Sequence, residues 1–267
     1  MRRARITATL LLIFIFAACL FPSLLTGDAS DEQFRNEIDL PPSLKFPLGT
    51  DDLGRNRLSR LLTGTRTSLL LAPAAALISV SVALIIGVGA AAAGGPANRI
   101  FESGADLTGS LPWLFVLIAL RASLPLDAPP MFTTATTFAV LAFLGWAGPA
   151  RVIRNLAASL QEKDFALQAQ SSGISLWRFS TVHLMPNIWP VALAQFWVNI
   201  PVFILAEANL GLLGMGVSEP YASLGNQLRE LESYAAVSEK PWLLAPAVLL
   251  TVIVASMWVV SRPGEQN

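Results

Sequence analysis

Six long apolar runs alternate with polar connections along this chain, at 6–25, 68–93, 107–126, 131–149, 190–214 and 242–260. About 20 mostly apolar residues, wound as a helix, cover the hydrocarbon core of a bilayer. In lipid the backbone must satisfy its own hydrogen bonds, so runs of this length predict helices. The pattern predicts an all-α integral membrane protein with six transmembrane helices. The third run is the weakest, with Pro112 inside it and Arg121 near one end. That arginine is tolerated if it snorkels to the interface or faces protein. The fifth is apolar around Gln195, Asn199 and Glu207.

The first run has two readings. Arg2, Arg3 and Arg5 before an apolar stretch also describe a signal peptide, and Phe16-Ala17-Ala18-Cys19 resembles a lipoprotein cleavage box. The apolar run continues past Cys19 through Leu20, Phe21, Leu24 and Leu25, longer than a signal core, which favours a retained span. Cys19 then reads as a small lipid-facing residue.

Between the first two runs, 26–67 is a long polar connection. Its acidic start and Pro41-Pro42 predict exposed coil. Thr50-Asp51-Asp52 predicts a helix cap with an acidic first turn. Leu58, Leu61 and Leu62, interleaved with Arg55, Arg57 and Arg60, predict a short amphipathic helix on the membrane surface or a solvated connector.

The connection 151–189 carries more pattern. Asp164 is placed to cap a short helix from Phe165 to about Ser172, and Gly173 suits its C-terminal end because glycine accepts positive φ. Ser175 is placed to cap a second helix carrying Leu176, Trp177, Phe179 and Val182, ended by Pro186. Phe165 and Leu167 on such a protrusion predict a docking knob for another protein; the other reading is a loop folded back on its own spans. The connection 217–241 holds Pro220, Tyr221, Gly225 and a helical 226–234 stretch, enough to plug or line a vestibule but too short for a domain.

Composition narrows the class. Of 267 residues, 54% are hydrophobic and 13% charged, against about 25% charged in soluble domains. Lys+Arg and Asp+Glu are 18 each, so no basic excess points to nucleic acid. One Cys and one His exclude a disulfide framework and multi-histidine or Cys-rich metal sites within the chain. Lys and Arg divide evenly between the two sides that six spans define. The Arg cluster directly before the first run favours a cytoplasmic N-terminus, with the C-terminus on the same side.

Catalytic motifs are missing from the sequence: no G-x-x-x-x-G-K-[ST], no G-x-G-x-x-G, no H-E-x-x-H and no G-x-S-x-G. His183 reads as a loop hydrogen-bonder. Glu207 is the one carboxylate well inside an apolar run, which marks it as an interhelical hydrogen-bonder, a pathway residue or a residue near the outer interface. Gly87, Gly89, Gly94, Gly211, Gly214 and Gly216 predict close helix packing. A transport subunit that borrows its energy fits this picture. A secondary carrier fits less well, for want of several buried ionisable groups or an internal repeat. A non-transporting membrane scaffold is the third reading.

Several stretches together resemble the inner-membrane permease subunits of binding-protein-dependent ABC importers, specifically the C-type subunit of dipeptide, oligopeptide and nickel systems. They are Pro47 to Arg55, Leu58 to Leu61 and Gly64 to Leu69, then Gly145-Trp146 with Ala150-Arg151 and Arg154. Asp164-Phe165, Ala169, Gly173 and His183 to Asn187 match that family's cytoplasmic coupling loop. Leu205 to Leu210, Leu213 to Val217 and Gly225-Asn226 match its fifth span and the loop after it. Leu167 stands where the loop's signature Glu stands, and Gln168 where the following Ala does.

The resemblance implies the type I ABC importer permease fold. It divides the chain into a first helix within 1–25, an extracytoplasmic connection 26–63, a transmembrane domain 64–260 with its coupling loop at 150–189, and a cytoplasmic tail 261–267. It implies a non-catalytic, cofactor-free subunit of the bacterial inner membrane, with both termini cytoplasmic. The implied partners are a second permease subunit, ATP-binding subunits and an extracytoplasmic solute-binding protein. The implied cargo is peptides or similar small solutes. Asp164, Phe165, Leu167, Gln168, Ala169, Gly173, His183 and Pro186 would form the ATPase-coupling loop.

Overall fold

The computed structural model describes residues 2–125, 127–173, 175–217, 221–232 and 238–261, without the side chains of residues 2, 167, 169–171, 176 and 177. Features predicted at Leu126, Pro220, Tyr234, Arg262 and the tail beyond Ser261 lie outside these. The described residues are helical apart from turns and one antiparallel bridge between Thr50 and Asn56. Five helices or helix pairs have the length and apolarity of a span: Arg3–Leu20, Arg57–Ala93, Pro130–Gln161, Ser180–Leu212 and Pro241–Ser261.

A bent pair, a broken span or a re-entrant loop by its geometry, replaces the one helix predicted over 107–126. Helix α4 (Gly95–Ser110) and helix α5 (Trp113–Ser123) meet at a 75° bend. Pro112 lies at the break, where it can start a helix but cannot continue one. Arg121 is half-buried in the last turn of α5.

The chain divides into two compact units. The first comprises Met1–Ala72, Leu117–Phe138 and Pro201–Asn267. In it helix α1 (Arg2–Leu20) packs along helix α12 (Ala245–Ser261), and Arg5 Nη2 donates to the Val260 carbonyl at 3.0 Å. The start of α1 thus meets the end of α12, so the two helices run antiparallel. Cys19 is fully buried and hydrogen-bonded to Thr65, not lipid-facing as predicted.

Helix α3 (Arg57–Ala93) begins about three turns earlier than the hydropathy suggests, absorbing the predicted surface helix at Leu58–Leu62 into one long helix. Its cap is Asn56, whose Oδ1 accepts from Leu58 N (3.0 Å) and Ser59 N (3.4 Å); Thr50-Asp51-Asp52 does not cap it. Asp51 instead closes a turn. Its Oδ1 accepts from the backbone N–H of Leu53 (3.0 Å) and Arg55 (2.8 Å). Its Oδ2 pairs with Arg55 Nε at 2.7 Å and Arg60 Nε at 3.7 Å. All three charged side chains are buried. The expected coil at 28–40 is tied to this turn: Thr50 Oγ1 donates to the Glu37 carbonyl (2.5 Å), and Asn56 Nδ2 to Asp28 Oδ2 (3.1 Å).

The second unit comprises Pro73–Val116 and Ala139–Ile200. Helix α6 (Pro130–Leu144) enters it and is followed by helix α7 (Ala147–Gln161). The predicted loop from 150 is therefore helical for three more turns. Its charges are met by α4: Arg151 pairs with Asp106, and Arg154 reaches Asn98 Oδ1 (2.7 Å) and Glu102 (3.3 Å). The core joins Val80, Ala83 and Ala90 of α3 to Ala147, Ala150, Ile153 and Ala157 of α7. Gly87 makes that approach possible, since a Cβ there would stand 2.8 Å from the Ala150 carbonyl oxygen. Gly89, in contrast, faces open space, and Gly94 (φ +60) marks the break between α3 and α4; neither packs as predicted.

Candidate functional site

Helix α8 (Asp164–Ser171) follows α7 after a two-residue turn, with Asp164 in its first turn. Acidic side chains are favourable there because unpaired backbone N–H groups leave partial positive charge. Its Ala166 is fully buried, while Phe165 is 40% exposed and Gln168 exposed. The helix ends with Ser172 N donating to the Gln168 carbonyl at 3.0 Å. Gly173 then takes φ +71. A Cβ at Gly173 would meet nothing within 4 Å, so the demand on this position is backbone conformation alone. Leu167 and Ala169 lie on α8, but their side chains are outside the described residues.

Helix α9 (Leu176–Phe179) starts with Arg178 N donating to Ser175 Oγ at 3.4 Å, the predicted cap. Pro186 does not end it. The chain continues through a π-helical turn (Ser180–Leu184) into helix α10 (Met185–Leu212), with Met185 N donating to the Ser180 carbonyl. A proline inside a helix has no N–H to give and crowds the carbonyl four residues back. The widened turn just before Pro186 accommodates both faults.

His183 is in that turn, not in a loop. Its ring lies 5.8 Å from Phe179 and 6.5 Å from Phe165, joining α8 to α9 through an aromatic row. Ala166, Phe179, Leu184 and Ile188 belong to the same core as α3 and α7. The knob is thus built on buried apolar contacts, with one aromatic edge left facing outward.

A second cluster sits in the first unit around Glu207 of α10. The residue is 2% exposed. Ser68 of α3 donates its hydroxyl to Glu207 Oε2 at 3.2 Å, and Ser223 is a second hydrogen-bond partner. Ser223 also caps helix α11 (Leu224–Leu228), accepting from Asn226 N at 3.1 Å. The described part of the helical stretch predicted at 226–234 is this helix followed by a 3-10 turn, Arg229–Glu232. Gly211 of α10 lies so close to Gly225 that a Cβ would overlap it; Gly216 packs against Gly211, and Gly214 ends α10 with φ +73.

A cavity of about 460 Å³ opens in the same unit, walled by Thr63, Arg66, Thr67, Met131, Tyr221 and neighbours. Sequence reasoning singled out the α8–α9 stretch and Glu207. It missed the buried Asp51–Arg55–Arg60 cluster, whose only sequence trace is the resemblance over Pro47 to Arg55.

Residues 57–262 match the family model described as the inner membrane component of binding-protein-dependent transport systems. The dipeptide transport system permease protein DppC of Lactococcus lactis subsp. cremoris is 32% identical over 228 residues, 85% of this chain and 64% of its own length. The oligopeptide transport system permease protein OppC of Mycobacterium bovis is 32% identical over 247 residues, 92% of this chain and 82% of its own. The DppC protein of Bacillus subtilis is 31% identical over 215 residues, 80% of this chain and 65% of its own.

Proposed function

This chain belongs to the family of inner-membrane components of binding-protein-dependent transport systems, and from that premise we propose that it is one permease subunit of an ATP-driven peptide importer. It lies in the bacterial inner membrane with both termini cytoplasmic. It pairs with a second, different permease subunit to enclose the pathway. Separate ATPase subunits bind below, and a solute-binding protein delivers cargo from the other side. The chain itself carries out no chemistry.

The observation that carries this reading is α8. It is a short helix that keeps Phe165 exposed while Ala166 and Phe179 anchor it in the core of α3 and α7. In the proposal, α8 inserts into a groove on an ATPase subunit. ATP binds the closed ATPase pair more tightly than the open one. That difference shifts the permease toward its outward-open state only if closure is transmitted through α8. Leu167 replaces the family's Glu, so docking at that position is apolar rather than polar.

Deleting residues 164–183 tests the reading. The expected result is loss of copurification with an ATPase subunit, with the rest of the chain still inserted in the membrane. Retention of the ATPase after that deletion overturns it. A secondary carrier would instead move solute down an ion gradient when this chain is reconstituted alone.

A further inference from the structure

Among the described residues, Glu207 Oε1 is a buried side-chain oxygen without a hydrogen-bond partner. Ser68 donates to the other oxygen, Oε2, and Ser223 is the carboxylate's second partner. Burying a polar atom unpaired is costly, and for a carboxylate severely so. The residue lines a small cavity of about 10 Å³ together with Thr133, Thr134, Thr137, Leu210 and Met215. That volume suits one water-sized guest.

The walls decide which guest. Thr133 and Thr134 both give their hydroxyl hydrogens to the Pro130 carbonyl, each at 2.8 Å. Thr137 gives its own to the Thr133 carbonyl at 3.0 Å. A hydroxyl whose hydrogen is engaged offers only lone pairs. The lining residues therefore offer a carboxylate and three hydroxyls whose hydrogens are engaged elsewhere. No Lys, Arg or His is among the lining residues. The set calls for a small hard cation that takes oxygen ligands. With a single carboxylate, and no group of three or more His, Cys, Asp or Glu among the described residues, a divalent ion would remain under-neutralised.

We propose that Glu207, Thr133, Thr134 and Thr137 bind one monovalent alkali cation, Na⁺ by size. The ion would fasten α6 to α10 and to the Met215–Val217 segment that lines the same cavity. The site stands or falls independently of what the protein transports.

The test uses the full chain in lipid nanodiscs, at fixed ionic strength in NaCl or N-methylglucamine chloride. Na⁺ should raise the thermal midpoint saturably, by roughly 5 °C at saturation. Radiolabelled Na⁺ should bind at one ion per chain. Glu207→Gln and Thr137→Val should each abolish both responses. Should Glu207→Gln fail to fold, Thr137→Val decides, since valine keeps the shape and removes the oxygen. Equal midpoints in the two salts, or an undiminished Na⁺ response in Thr137→Val, overturns the proposal and leaves a water or a proton as the occupant.

Discussion

Gly211 of α10 rests directly on Gly225 of α11: a Cβ on Gly225 would stand 2.8 Å from the Gly211 Cα, and one on Gly211 would overlap the Gly225 backbone. The contact brings α11 and its cap, Ser223, up to Glu207. Glycine is needed here for clearance, not for an unusual φ.

Gly211→Ala should therefore be destabilising, by about 1–3 kcal/mol as for other overpacked contacts. Gly89→Ala, with nothing within 4 Å of its Cβ, should be neutral or stabilising by up to about 1 kcal/mol through helix propensity. Thermal midpoints of the two purified variants check the contrast.

Gly173→Val should uncouple ATP hydrolysis from uptake. A β-branched residue is a severe outlier at φ +71, so the chain beyond α8 would re-route. Gly173→Asn should fall between, because Asn tolerates this region better. Uptake and ATPase rates of the reconstituted importer, measured together, give the coupling ratio that checks it.

Phe165→Ala should weaken ATPase copurification while leaving the thermal midpoint nearly unchanged, because the ring is 40% exposed. Phe179→Ala, at 3% exposure, should destabilise by about 3–5 kcal/mol through lost packing and so lower the midpoint. A pull-down and a melt on each variant separate the two roles.

Asp51→Ala should be among the most damaging changes in the polar connection. It leaves Arg55 and Arg60 buried without their shared carboxylate, and breaking a buried pair costs about 3–5 kcal/mol. Limited proteolysis should then cut within 28–56, which the native turn ties down.

The spans were readable because lipid demands length and apolarity, and few sequences meet both by accident. Helix α8 and its glycine stop were readable because helix-end signals are local, although Asp164 lies inside the first turn and not before it as predicted. What escaped was everything that depends on partners far along the chain. Arg151 and Arg154 look like loop charges until Asp106, Asn98 and Glu102 on α4 meet them. Asp51 looks like a helix cap until Arg55 and Arg60 fold over it. Pro186 looks like a stop because a wide turn cannot be seen in residue types. Cys19 looks lipid-facing until Thr65 is beside it.

The helical course runs unbroken from Leu176 through the wide turn to Leu212. In the proposed importer, a push on Phe179 would be carried by this helix where a tether would swallow it. Two flexible residues spliced in after Leu184 would act as a clutch, leaving each end intact and the drive between them disengaged.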